Sequence, residues 1–362
     1  MLSGVFLVSV SSILVWIGTL NTQTHSIQKE SMSMDDAKLF PVIGSFVLLS
    51  LFFALRYLPK SIINTLFRAL FTVTGTFTVY KIQKVIYHQF RPVQQEKVKE
   101  EKVNKDVPEK EATGKNQKET AEKPVNEGAS TSSAGKEDAV ETTQPAQAAI
   151  SGTWTGFKNE VYDSIVEIKE CANVYLNEFR KPQFAGMFAV SCLINAWYFK
   201  TKSINSSNIL ASAFAIMGIR EIKPDSTKTV LVLLSLLFLY DIFWVFFTPV
   251  MIGVAKGLDI PIKIVYPFTR KGASMIGLGD IVIPGLFLSL ARDFAHKFSA
   301  PLVFTFGFVG YILALIVTFA IVFIFKAGQP ALLYICPLIV AGSLVGCAVH
   351  KKTKAFIDYK AE

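Results

Sequence analysis

Two carboxylates in this chain stand where a charge is costly. Asp241 lies in "LLFLYDIFWVFF" and Asp280 in "MIGLGDIVIPG", both within windows otherwise made of apolar residues, glycine and proline. An ionisable group inside an apolar span is by default a candidate for function. Asp241 precedes Met251 by ten residues and Asp280 follows Ala273 by seven, about 15 Å and about 10 Å along a helix. Consecutive spans joined by a short loop run antiparallel, so the two acids are expected at similar depth from one face. Two carboxylates sharing a site of low dielectric cannot both ionise: one keeps its proton while the other acts as a base toward water. That is the chemistry of an aspartic protease.

The flanking residues fit the same purpose. Gly277 and Gly279 are too closely spaced for a GxxxG packing seam, and are expected to loosen the helix or let another backbone approach Asp280. Pro284 lacks the amide that would bond the carbonyl of Asp280, leaving that acceptor to water or substrate. Further on, "AGQPALLY" places Pro330 where a helix can begin without losing a hydrogen bond. Other chemistries find little support. There is no DTG or DSG, no HExxH around His25, His88, His296 or His350, no GxSG, and no phosphate-binding loop. Neither a metal nor a cofactor is expected. Cys171, Cys192, Cys336 and Cys347 show no CxxC spacing and read as small buried apolar residues, not as a metal or disulfide frame.

The elements that position these acids are membrane helices. Of the 362 residues 51% are hydrophobic and only 18% charged, with a mean hydropathy of +0.41. Nine apolar windows are predicted to span: Leu2 to Leu20, Leu39 to Leu58, Ile62 to Tyr80, Phe184 to Phe199, Ser207 to Ile222, Thr229 to Met251, Ala273 to Ala291, Pro301 to Phe325 and Gln329 to Val349. The fourth and fifth are short and hold polar residues, so neighbouring helices must shield them. The first lacks a basic leader and a clear cleavage site, which favours a retained span over a secretory signal peptide. A net charge of +9 is a topology signal here, not a mark of nucleic-acid binding. Lysines and arginines such as Lys81, Arg91, Arg180, Lys228 and Lys351 favour the flanks that are cytosolic if the amino terminus is lumenal.

Residues 1–86 thus hold the first three spans and 184–350 the remaining six, with a cytosolic tail at 351–362. Between them, 87–152 is a charged linker that cannot bury enough apolar surface to order itself. Residues 153–183 follow. In them Phe157, Val161, Ile165, Ile168 and Tyr175 recur at helical intervals, as in an amphipathic interfacial helix or an extension of the fourth span.

Tyr240-Asp241, "GLGD" at Gly277 to Asp280 and "PAL" at Pro330 to Leu332, in that order, resemble the GxGD intramembrane aspartyl proteases, the presenilins and signal peptide peptidases. "YDIFWVF", "GLGDIVIPG" and "QPALLY", with its Gln329, are similar to the signal peptide peptidase branch. Upstream, "DAKLFPVIGSFVLLSLFFALRY" and "NILASAFAIMGI" extend the resemblance over most of the chain. It implies an all-α polytopic protein of about nine transmembrane helices, with a lumenal amino terminus and a cytosolic carboxyl terminus. Asp241 and Asp280 become the catalytic pair, with Pro330, Ala331 and Leu332 close by. The implied activity is cleavage of transmembrane segments of type II orientation, remnant signal peptides included, in the endoplasmic reticulum membrane, by a protein that self-associates without further subunits. The linker departs from the family core, and the tail "DYKAE" carries an incomplete dilysine signal. The rival readings are a proton-coupled transporter or ion-leak channel using the same two acids, and a silent member that only binds signal peptides.

Overall fold

The computed structural model describes residues 2–20, 30–90, 182–201, 203–248, 250–258, 260–266, 274–325 and 329–361. The elements in chain order are α1 (Leu2–Thr19), β1 (Glu30–Met32), α2 (Met34–Tyr57), α3 (Lys60–Phe90), α4 (Pro182–Thr201), α5 (Ile204–Glu221), β2 (Ile222–Pro224), α6 (Thr227–Phe246), α7 (Val250–Gly257), β3 (Lys263–Val265), β4 (Met275–Gly277), α8 (Gly279–Lys297), α9 (Pro301–Phe325), α10 (Leu332–Val349) and α11 (Thr353–Ile357). The linker beyond Phe90, the amphipathic segment up to residue 181 and Cys171 lie outside the described residues.

Nine of these helices, among the described residues, have 18 residues or more. Six of them, α1, α2, α3, α6, α9 and α10, are long and apolar enough to cross a membrane. Two of the other three, α8 and α5, are explained by what surrounds them. Helix α8 buries Ile281, Ile283, Leu286, Phe287, Leu290 and Phe294, so it is the centre of the bundle and need not be apolar enough to face lipid. Helix α5, whose window is expected to need shielding, packs among α1, α3 and α8. By contrast α2 buries only Ala37 and exposes Leu39, Phe40, Val42, Ile43 and Phe46, the pattern of a lipid-facing helix.

Local chemistry sets several ends. Ser33 caps α2 in a reciprocal box: its hydroxyl accepts from the Asp36 amide, and the Asp36 carboxylate accepts from the Ser33 amide at 3.0 Å. Ser33→Ala is expected to cost about 1 kcal/mol, read as faster amide exchange over the first turn of α2. Helix α6 stops at Phe246 rather than Met251, because the residue before Pro249 is driven out of the helical region, and α7 begins afresh at Val250.

Helices in lipid gain little from apolar burial against one another and depend on close packing. Ile219 of α5 is wedged between Gly18 of α1 and Gly285 of α8, where side chains in place of the two hydrogens would collide with it. Helices α9 and α10 approach more closely still, at Gly310, Gly342 and Gly346. Two small sheets complete the fold: β1 pairs in parallel with β2, and β3 antiparallel with β4. The carboxyl-terminal residues are docked, not loose. Phe356 is buried against Phe287 and Phe294, the Tyr359 carbonyl accepts from the Thr227 amide at 3.1 Å, and Asp358 pairs with Lys228 at 2.7 Å.

Candidate active site

Asp241 lies on α6, five residues before its end at Phe246, about 7 Å along the axis. It is buried, with 5% of its surface exposed. Asp280 is the second residue of α8. The sequence windows place both acids inside long helices; the structure places both near helix ends that meet. Asp280 is close enough to Asp241 to feel its charge. Their juxtaposition is the expected one, but the cause differs: residues 274–278 are not helical. Met275 to Gly277 pair with Lys263 to Val265 as a strand, and α8 starts only at Gly279. Two glycines within three residues make a poor helix, and pairing with β3 satisfies the backbone instead.

This changes the work of the glycines. Gly277 ends β4, with its amide turned to the Asp280 carboxylate and Asp280 Oδ2 3.5 Å from where a side chain would begin. Gly279 is exposed, and a side chain there would meet nothing within 4 Å. The carbonyl freed by Pro284 is not left to water or substrate: the Tyr311 hydroxyl of α9 donates to the Asp280 carbonyl at 3.2 Å. Tyr311→Phe leaves that partly buried acceptor without its partner and is expected to cost about 1 kcal/mol, read as a lower melting temperature in detergent.

The third segment closes the arrangement. Ala331 caps α10 and Pro330 is buried before it. Leu332, the first helical residue, has an amide with no partner within its own helix. That amide donates to Asp241 Oδ2 at 3.1 Å. So "PAL" sits against one of the two acids through a backbone bond, which any residue but proline could supply at position 332.

Two expected site residues stand apart. Tyr240 points to α2, its hydroxyl 3.6 Å from where a side chain on Gly44 would begin, and its ring packs on Trp244. Gln329 is half-buried ahead of Pro330. Two residues not expected from the sequence join the site: Tyr311, and Cys336, which is buried and within electrostatic range of both carboxylates. Cys336 lies four residues after Leu332, one helical turn, and that spacing from "PAL" is a signal in the sequence. Nothing local marks Tyr311. Of the cysteines expected to be buried, Cys336 and Cys347 are; Cys192 is exposed on α4. Among the described residues no cluster of His, Cys, Asp and Glu is arranged to hold a metal ion.

The chain is similar to known proteins across this region. The model of the signal peptide peptidase family matches residues 24–362. A probable intramembrane protease of Schizosaccharomyces pombe is 41% identical over 183 residues, 48% of this chain and 62% of that protein. The signal peptide peptidase of Homo sapiens is 38% identical over 177 residues, 46% of this chain and 47% of that protein. Intramembrane protease 2 of Caenorhabditis elegans is 39% identical over 176 residues, 42% of this chain and 38% of that protein. The chain spans about half the length of the curated relatives it matches. No solved structure matches it. With the family model covering all but the first residues and the two acids brought together on adjoining helices, the chain belongs to the signal peptide peptidase family.

Proposed function

We propose that this protein is an intramembrane aspartic endopeptidase that hydrolyses peptide bonds within transmembrane segments of type II orientation, including remnant signal peptides. The observation that carries this reading is the approach of Asp280 to Asp241, with the Leu332 amide bonded to Asp241. One aspartate, ionised, takes a proton from water as the water attacks the scissile carbonyl. The other, protonated, donates to the carbonyl oxygen, and a tetrahedral diol forms. Collapse of the diol breaks the C–N bond: the first aspartate gives the proton it took from water to the leaving amine, and the second takes one back from a diol hydroxyl as the carboxyl product forms. No cofactor is required.

A helical substrate amide is shielded by its own hydrogen bonds, so the segment must unwind locally before it is cut. The strand β4, which runs directly into Asp280, offers a backbone edge on which an unwound segment can be held. The site of action proposed is the endoplasmic reticulum membrane, with a lumenal amino terminus, nine spans and a self-associating assembly, following the family relation and the lysine and arginine bias.

The test is mass spectrometry of products from purified protein and a synthetic signal peptide, with and without a transition-state analogue. Defined fragments cut within the apolar segment, and suppressed by the analogue, are expected. Proton flux in proteoliposomes without any peptide product would overturn the reading in favour of a transporter.

A further inference from the structure

The hairpin that runs into Asp280 has its open edge decided by one side chain. The Tyr266 amide donates to the Ser274 carbonyl at 3.0 Å and the Leu278 amide to the Ile262 carbonyl at 2.9 Å. With the register Ile264 opposite Ile276, positions 262, 264 and 266 are the hydrogen-bonded members of β3 and its flanks. Lys263 and Val265, and opposite them Met275 and Gly277, therefore turn their peptide groups outward.

On β3 the outward groups of Val265 are both occupied. Asn208 of α5 donates through Nδ2 to the Val265 carbonyl at 2.7 Å, and its Oδ1 accepts from the Val265 amide at 2.9 Å. A carboxamide carries the donor and acceptor of a peptide group, so Asn208 stands where a third strand would bond. On β4 the Gly277 amide faces the Asp280 carboxylate itself, while the outward groups of Met275 and the Gly277 carbonyl meet no side-chain cap among the described residues. Its outward residues, Met275 and Gly277, precede Asp280 by five and three positions.

We propose that Asn208 is a positioning residue: it closes the β3 edge to strand addition and ties the hairpin to α5, so that an extended apolar peptide joins at β4 and is held in register with Asp280. This rests on the proteolytic reading above. The recognised chemistry is the main chain of an unwound transmembrane segment. With Asn208 removed, two things change together. The hairpin loses its tie to α5, and a second edge becomes available on which a peptide binds out of reach of the acids.

The test compares the wild-type protein with Asn208→Leu and with Asn208→Ala, the smaller change guarding against a packing defect. Amide exchange over 262–266 and 274–278 is read in the resting protein, and kcat and KM are measured for a signal peptide, normalised to the fraction of sites titrated by a transition-state analogue. Exchange at Val265 is expected to rise about tenfold, matching about 1.4 kcal/mol of lost protection. Turnover per titrated site is expected to fall about tenfold, with KM unchanged or lower, because misplaced binding removes productive alignment rather than affinity. A simple folding defect would lower the titrated fraction and leave turnover per site intact. Unchanged exchange at Val265, or faster exchange with wild-type turnover, overturns the inference. Exchange needs no catalysis, so a wild-type protein that cleaves nothing would overturn the proteolytic reading and the substrate half of this inference, while the tie between Asn208 and the hairpin would still be read.

Discussion

Asp241→Asn and Asp280→Asn are each expected to lower cleavage of a signal peptide by about 10⁴-fold, and the double variant is expected to be no worse than either single one. The magnitude follows from the division of labour: a positioned general acid or base contributes about 10²–10⁴, and here neither acts without the other, so losing one removes both effects. Asparagine is the informative substitution. At 241 its carbonyl oxygen can still accept from the Leu332 amide, so α10 keeps its tie to α6. Removing a buried carboxylate without leaving a donor unpaired costs little stability. Asp241→Ala orphans the Leu332 amide and is expected to lose about 1–3 kcal/mol in addition. Asp280→Ala has no comparable partner on another helix to lose through its side chain. Single-turnover product formation and thermal unfolding in detergent separate the two effects. Residual cleavage above about a hundredth of wild type in either asparagine variant, below the least a positioned acid or base contributes, would remove that residue from the pair.

Much of this site is legible in the sequence because its chemistry is local. Asp241, "GLGD" and "PAL" are each contiguous, and a charge in an apolar window needs no structure to be noticed. What surrounds them is less legible. Hydropathy carries Ala273 to Ala291 as one span, since glycine and apolar residues score alike in a strand and in a membrane helix. Only the pairing of Met275 to Gly277 with Lys263 to Val265 separates strand from helix, and the other edge of β3 is bonded by Asn208, far away in the chain. The same applies to Tyr311, which answers the proline at position 284 from a different helix. Helix α8 is the converse case: its charged end, Arg292 to Lys297, lowers its hydropathy, and its central place is visible only once its neighbours are known. Arg292 illustrates why those charges are tolerated, its guanidinium lying over the rings of Trp16 and Phe304.

The glycine seam between α9 and α10 gives the second large expected effect. Gly342 and Gly346 are four apart, the spacing of a close helix contact. Their partners are the backbone of α9. A side chain on Gly342 would meet the Phe306 carbonyl, with its carbon 2.9 Å away, and one on Gly346 would stand 2.5 Å from the Leu302 oxygen. Backbone inside a helix cannot turn aside as a side chain can, so the helices must separate, and the attraction at every contact along the seam declines with distance. Gly342→Leu and Gly346→Leu are each expected to destabilise by about 3 kcal/mol or more, seen as a large drop in melting temperature. Gly307→Ala provides the contrast, since the atoms it would meet belong to the side chains of Ser343 and Leu288, and these can rotate. It is expected to cost under about 1.5 kcal/mol, in the range of tolerated core changes. The seam reaches the site through α10. Leu332 lies ten residues before Gly342, about 15 Å along the helix, so tilting α10 off α9 moves the amide that bonds Asp241. Folded Gly342→Leu protein recovered at low temperature is therefore expected to cleave more slowly per titrated site as well as to melt earlier. A variant that melts early yet turns over at the wild-type rate would separate the seam from the site.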